Sequence, residues 1–268
     1  MKRFILFFLL FIMNGMMADS LIPYLQSPTP QSMIISWRTM NDSSTLLRYG
    51  TDSLLQNEKT GDYTAVDSEI GWHTVRLNGL NSNTIYYYQC FSGTDSSEIY
   101  QFTTFPENGF KNGHFRVLVF SDNQDTPAQA TPHIAGMKEK IIELYGDKPL
   151  NHSFNMVFNA GDIVGHGWQI EEYRDQFFDP IQPLSPFLPF MISIGNHEEN
   201  SDYFYQFMEY DDFAGPEGEK YYAFQGGSVL FIAVNSNTQF RNETQLEWLE
   251  GILDSAEDDS SIDWIVTF

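Results

Sequence analysis

Three short polar blocks, each set just after an apolar run, constrain this chain more than anything else in it. They are Ser121-Asp122-Asn123-Gln124, Gly161-Asp162-Ile163-Val164 and Gly195-Asn196-His197-Glu198. The runs before them, Phe115–Phe120, Phe154–Phe158 and Phe190–Ile194, are continuous rather than alternating, the pattern of strands buried on both faces. In open α/β sheets, ligands bind beyond the carboxyl ends of the strands. The blocks therefore bring two carboxylates, a carboxamide and an imidazole to one end of one sheet. Hard or borderline divalent cations take these donors. A carboxylate such as Asp162 can bridge two ions roughly 3.5–4 Å apart, with Asp122 and Asn196 each holding one side. Glycine before Asp162 and before Asn196 permits the sharp turn that aims a short side chain inward. His197 is then expected to face the substrate. Gln124 is a further candidate ligand, set against a loop-stabilising hydrogen bond. His166, His114, His133 and His152 read as surface residues.

Two more apolar strands, Val229–Val234 and Trp264–Phe268, extend the same α/β pattern from His114 to Phe268. A helix is expected between the first two blocks, capped by Thr131, with Pro132 in its first turn and Gly146 closing it. A second is expected from Asn242, with Gln245 completing a capping box and Leu246, Leu249, Ile252 and Leu253 buried. Residues 19–105 read differently. Short runs at Met33–Trp37, Leu46–Tyr49, His73–Leu77, Ile85–Phe91 and Ile99–Phe102, separated by Gly, Asn, Asp and Ser, predict a small β-sandwich. Residues 106–113 read as a linker.

The first 18 residues have the form of a secretory signal: Lys2 and Arg3, an apolar stretch from Phe4 to Met13, then Met16-Met17-Ala18. That predicts a secreted or periplasmic protein, with no stable membrane anchor once the leader is removed. Without Lys2 and Arg3, the remaining 12 basic residues face 36 acidic ones. Such a surface repels nucleic acid and anionic lipid. It also repels a phosphate ester, so a site acting on one needs local positive charge, which metal ions supply. Cys90 is the only cysteine, which excludes an internal disulfide and a cysteine-rich metal site.

With these blocks in place, the chain resembles the calcineurin-like metallophosphoesterases, and within them the purple acid phosphatase branch. Pro23-Tyr24-Leu25-Gln26-Ser27-Pro28-Thr29-Pro30, Ser36-Trp37 and Tyr49-Gly50 are similar to the branch's N-terminal domain. Gly161-Asp162, Gly195-Asn196-His197-Glu198, Tyr221-Tyr222-Ala223-Phe224 and Gln245-Leu246-Glu247-Trp248-Leu249 are similar to its catalytic domain. Leu77-Asn78-Gly79-Leu80 and the tyrosines at 86–88 resemble a fibronectin type III turn and strand. The resemblance implies an N-terminal β-sandwich followed by an αββα phosphoesterase sandwich over residues 114–268, incomplete at its C-terminus. It implies two metal ions (Fe, Zn or Mn), with Asp122 on the first, Asp162 bridging and Asn196 on the second. His197 would assist the leaving group, and a metal-held hydroxide would attack a phosphate ester. Gly165 stands where purple enzymes carry their iron-binding tyrosine, Ser121 stands in place of a glycine and Gln124 in place of a glycine or histidine, so the metal identity stays open. The family's later His motifs are not in the chain, so the chain reads as an inactive N-terminal part of such an enzyme. The competing expectation is a non-catalytic secreted binding or adhesion protein on a degenerate phosphoesterase scaffold. Asn41, Asn151 and Asn242 head Asn-x-Ser/Thr sequences that matter only in a eukaryotic secretory pathway.

Overall fold

A computed structural model describes residues 21–40, 42–68, 70–124, 127–237 and 242–268. The expected leader and Asn41 lie outside the described residues.

The N-terminal third is all β: β1 (Tyr24–Gln26), β2 (Met33–Met40), β3 (Leu46–Gly50), β4 (Asn57–Thr60), β5 (Asp62–Ala65), β6 (Ile70–Leu77), β7 (Ile85–Ser92), β8 (Asp95–Ser96) and β9 (Tyr100–Thr103). Two sheets face each other across Met33, Ile35, Trp37, Leu47, Val75, Tyr88, Cys90 and Phe102, all buried. The tyrosine strand β7 is pinned at its start, where the Tyr86 hydroxyl accepts the N–H of Asn81 at 2.9 Å. Ile34 and Ser36 are buried as well, so β2 departs from simple alternation. Its second face is covered by the chain around Phe207 and Glu209, which Gln26 holds through the Phe207 carbonyl (3.1 Å) and the Glu209 N–H (2.9 Å).

Beyond position 114 come β10 (Val117–Phe120), α1 (Pro127–Tyr145), β11 (Met156–Asn159) and α2 (Ile170–Glu172). A π-helical stretch (Tyr173–Phe178), α3 (Asp179–Ile181), β12 (Pro189–Ile192) and α4 (Asp202–Phe207) follow. Last are β13 (Ala214–Gly215), β14 (Gly218–Gly226), β15 (Val229–Ala233), α5 (Glu243–Glu257) and β16 (Trp264–Thr267). β10, β11 and β12 pair in parallel, and β13–β16 form a four-stranded sheet. The two sheets meet through aromatics such as Phe158 and Phe231, whose ring centroids are 6.1 Å apart. Ile134 and Ile141 of α1 join that core, and α5 covers the far sheet through Leu249, Ile252 and Ala256. The result is helix, sheet, sheet, helix. Among the described residues, no helix is long and apolar enough to cross a membrane.

The halves are joined more tightly than a linker implies. β1 pairs with β12 in parallel, Leu25 opposite Pro189, and with β2 antiparallel. One seven-stranded sheet therefore runs β10-β11-β12-β1-β2-β6-β5 through both halves. Arg38 donates to Asp179 at 2.6 Å across the same seam, and the Tyr88 hydroxyl to the Pro186 carbonyl at 2.7 Å.

Several local expectations change. α1 begins at Pro127, not at Thr131, so Pro127 takes the first-turn place where a missing N–H costs nothing and Pro132 lies inside the helix. Gly146 does close it, at φ 87° with its N–H on the Ile142 carbonyl. Asn242 caps α5 by accepting the Thr244 N–H, but Gln245 turns away from a capping box and pairs with both backbone groups of Asn235. The inward stripe of α5 is Gln245, Trp248, Leu249, Ile252 and Ala256, one face at helical spacing. Leu246 and Leu253 fall off that face and are 46% and 39% exposed. β10 and β16 are edge strands rather than strands covered on both faces, which leaves Val119 and Trp264 largely in solvent. Asn151 is buried, its amide donating to Thr103 Oγ1, which removes it as a glycan acceptor.

Candidate metal centre

The three blocks leave the C-terminal ends of β10, β11 and β12, and parallel pairing sets those ends side by side, Phe120 opposite Asn159 and Asn159 opposite Ile192. Backbone bonds continue the alignment past the strands. The Ala160 N–H reaches the Phe120 carbonyl (3.2 Å), the Asp122 N–H the Gly161 carbonyl (3.1 Å), and the Ser193 N–H the Asn159 carbonyl (3.0 Å). Both predicted carboxylate positions have left-handed backbone, Asp122 at φ 53° and Asp162 at φ 55°. Non-glycine residues adopt that region uncommonly, and such strain collects at functional sites.

The second and third blocks interlock. The His197 N–H donates to Asp162 Oδ1 at 3.0 Å, and the Gly167 N–H to the His197 carbonyl at 2.8 Å. Gly195 lies so close beneath Asp162 that a Cβ there would sit 2.1 Å from Oδ1 and 2.3 Å from the Asp162 nitrogen. Gly161, at φ 97°, would drive a Cβ to 2.6 Å from the Gly195 nitrogen. Glycine at these two positions is what lets the two loops touch.

Glu198 holds the arrangement. It is fully buried, and its Oε2 accepts the N–H groups of Asp162 (3.0 Å) and Gly195 (2.5 Å). Its Oε1 accepts those of Ile163 (2.8 Å) and Val164 (3.4 Å). Burial pushes its pKa up, and the N–H groups of Asp162, Gly195 and Ile163 pull the other way. The first block is tied in by Asn123, whose amide donates to the Gln176 carbonyl (3.1 Å) and whose oxygen accepts from Asn159 (2.9 Å). Asn159 Oδ1 in turn accepts the Gly161 N–H at 2.8 Å. Gln176, in the π-helical stretch, also accepts the Gly165 N–H on its side chain at 2.7 Å. Asn237 donates to the Gly195 carbonyl at 3.0 Å.

Sequence reasoning missed Glu198, Asn123, Asn159, Gln176 and Asn237. Glu198 and Asn123 stand within the motif blocks; nothing local in the sequence marks the other three.

The structure brings the segments of Asp122, Asp162, Asn196 and His197 to one rim. Asp162 is half-buried, while Asp122 and Asn196 are exposed. His197 is fixed by its Nδ1–H, which donates to the Gly165 carbonyl at 2.8 Å and leaves Nε2 uncommitted among the described residues. That hydrogen bond raises its pKa, burial opposes it, and the Asp162 charge adds to it. Gln124 Oε1 is shut off from solvent with no hydrogen-bond partner. His166 is exposed and bonds Glu172 Oε1 at 3.0 Å. Hard-cation donors are thus present: one unbonded oxygen each on Asp122 and Asp162, a free Asn196 carboxamide and the orphaned Gln124 oxygen. They fit part of a metal shell. Among the described residues, no group of three or more His, Cys, Asp or Glu converges as a complete one.

The model of the calcineurin-like phosphoesterase family matches residues 115–268. The chain belongs to the calcineurin-like phosphoesterases. Residues 19–104 match the purple acid phosphatase N-terminal domain. Purple acid phosphatase 18 of Arabidopsis thaliana is 28% identical over 254 residues, covering 87% of this chain and 52% of that protein. Acid phosphatase type 7 of Danio rerio is 24% identical over 256 residues, covering 88% and 55%. The solved purple acid phosphatase from yellow lupin (Lupinus luteus) seeds superposes with a TM-score of 0.68 at 19% identity, covering 92% of this chain and 50% of that one, and shows the shared fold. The chain spans about half the length of the curated relatives it matches. This calcineurin-like phosphoesterase thus has the two-part architecture that its motifs imply.

Proposed function

We propose that this chain is the N-terminal part of a secreted, metal-dependent phosphoesterase acting on phosphate esters, with a dinuclear centre of Fe, Zn or Mn. The observation that carries the reading is the rim itself, where Asp122 and Asp162 sit in left-handed backbone beside the Gly195-Asn196-His197 turn. Asp122 would hold one ion and Asn196 the second, with Asp162 shared between them, and the unpartnered Gln124 oxygen would be a further donor to the first. When bound, the ions activate water and neutralise charge on the phosphoryl oxygens. His197 presents Nε2 to the leaving-group oxygen, because Nδ1 is committed to Gly165. Glu198 acts on neither substrate nor metal; it positions the turns that carry Asp162 and Gly195.

The relatives extend well beyond the length this chain covers. The remaining donors of the shell are assigned to that length, and residues 19–268 alone are expected to bind metal weakly and to show no phosphatase activity above background. Weak metal binding alone would also suit a non-catalytic binding protein, which the partial donor set favours. A sheet continuous through both halves argues against a detachable adhesion module.

The deciding experiment uses the protein extended to its relatives' length. Asp162→Ala should abolish hydrolysis of p-nitrophenyl phosphate and lower bound metal. His197→Ala should leave metal content unchanged and lower kcat by roughly 10²–10⁴-fold. If His197→Ala empties the site of metal, the assigned roles are wrong. If the unaltered extended protein hydrolyses no phosphate ester with metal bound, the binding-protein reading replaces this one.

A further inference from the structure

A cleft of about 510 Å³ opens beside the candidate centre, lined by Trp168, Glu199, Asn200, Ser201, Asp202 and Tyr203. Two connections place it next to His197. The Gly167 N–H is bonded to the His197 carbonyl, which sets Trp168 one residue from that contact, and Glu199 and Asn200 follow directly on the motif.

The lining has one consistent chemistry. Trp168 is 62% exposed, a large indole left in solvent at the mouth of a cleft. It does not lie there loosely: its ring meets His166 edge-on at 5.8 Å. His166 is anchored in turn, its backbone N–H and Nδ1 both bonded to Glu172. Among the described residues, the carboxylates of Glu199 and Asp202 carry no ion pair or side-chain hydrogen bond, the Glu199 charge acts on the neighbouring His197, and no lysine or arginine lines the cleft. Two of the remaining polar oxygens are already engaged. Ser201 Oγ accepts the Tyr203 N–H, and Asn200 Oδ1 accepts from the Tyr205 hydroxyl. An aromatic face beside two unpaired carboxylates attracts a cation through both the ring quadrupole and charge. The same carboxylates repel a leaving group that carries further phosphate.

We infer that this cleft is a leaving-group subsite for an ammonium-bearing phosphate ester, the cationic head lying on Trp168 between Glu199 and Asp202. The inference rests on the phosphoesterase reading for its role, though not for its ligand chemistry.

The test separates the two. Choline and neohexyl alcohol, its neutral carbon isostere, are titrated into the chain while tryptophan fluorescence is followed. Choline should bind saturably and about tenfold tighter than the isostere. Trp168→Leu should remove the response, and the Glu199→Gln, Asp202→Asn double variant should weaken it about tenfold. Equal binding of the two alcohols, absence of saturation, or a response that survives in Trp168→Leu overturns the inference. In the extended protein, phosphocholine should exceed neohexyl phosphate in kcat/KM, with the preference lost in the double variant. Choline binding without hydrolysis of either ester would leave the ammonium site standing and overturn the phosphoesterase reading. Equal hydrolysis of both without choline binding would do the reverse.

Discussion

Glu198→Gln is the substitution whose outcome the geometry constrains most tightly. The two carboxylate oxygens each serve two backbone donors, Oε2 those of Asp162 and Gly195, Oε1 those of Ile163 and Val164. Glutamine has almost the same shape but replaces one oxygen with a donor. Whichever way the amide is placed, two N–H groups lose their acceptor and face another donor. A buried donor left unsatisfied costs about 1–3 kcal/mol, so the pair should cost roughly 2–6 kcal/mol. That is a large share of a total stability of about 5–15 kcal/mol, and exceeds the ~1 kcal/mol typical of point substitutions. Urea unfolding of the chain at low micromolar concentration, followed by far-UV circular dichroism, measures it as a lower midpoint at unchanged slope. Glu199→Gln, at the exposed neighbour, is the control and should shift stability by no more than about 0.5 kcal/mol. A loss below about 1 kcal/mol for Glu198→Gln, or a loss equal to the control, would refute the view that this carboxylate holds the loops together.

Two further outcomes are expected. His73 is stacked on Trp37 and bonded at both ring nitrogens to Thr39 and Thr45, and burial lowers its pKa to about 4. Between that value and the ordinary 6.5 the unfolded chain binds the extra proton, so stability is complete above 6.5 and is lost as pH falls toward about 4. His73→Phe should flatten that part of a urea-midpoint profile, and parallel profiles would show that His73 is not responsible. Trp264, Ile265 and Val266 are 69%, 43% and 40% exposed on the edge strand β16, a template for intermolecular pairing. Sedimentation velocity should show concentration-dependent association that Ile265→Lys suppresses, whereas a monomer at every concentration would exclude pairing at this edge.

What the sequence marked out by itself was a set of candidate donors and their order along the chain. Asp122, Asp162, Asn196 and His197 could be picked out because short polar blocks after continuous apolar runs are a local signal, and strand ends of a parallel sheet share an edge. The family followed from the same residues, as did the β-rich start at Met33–Trp37 and Ile85–Phe91. The helix faces were less legible. Leu246 and Leu253 look buried by pattern, yet the face that packs is chosen by the sheet beneath, which keeps the expected Leu249 and Ile252 and takes Trp248 and Ala256 in place of the other two. Other features exist only in three dimensions. Glu198 is read in sequence as one more acidic residue, and becomes a hub because two glycines let Gly195 and Asp162 approach to contact. Gln176 and Asn237 reach the site from stretches with no motif at all. Pairing between β1 and β12, residues about 165 positions apart, makes one sheet of two apparent domains. Local patterning specifies which face of a strand is apolar, but the identity of a long-range partner depends on the packing of the whole chain, and only the tertiary structure decides it.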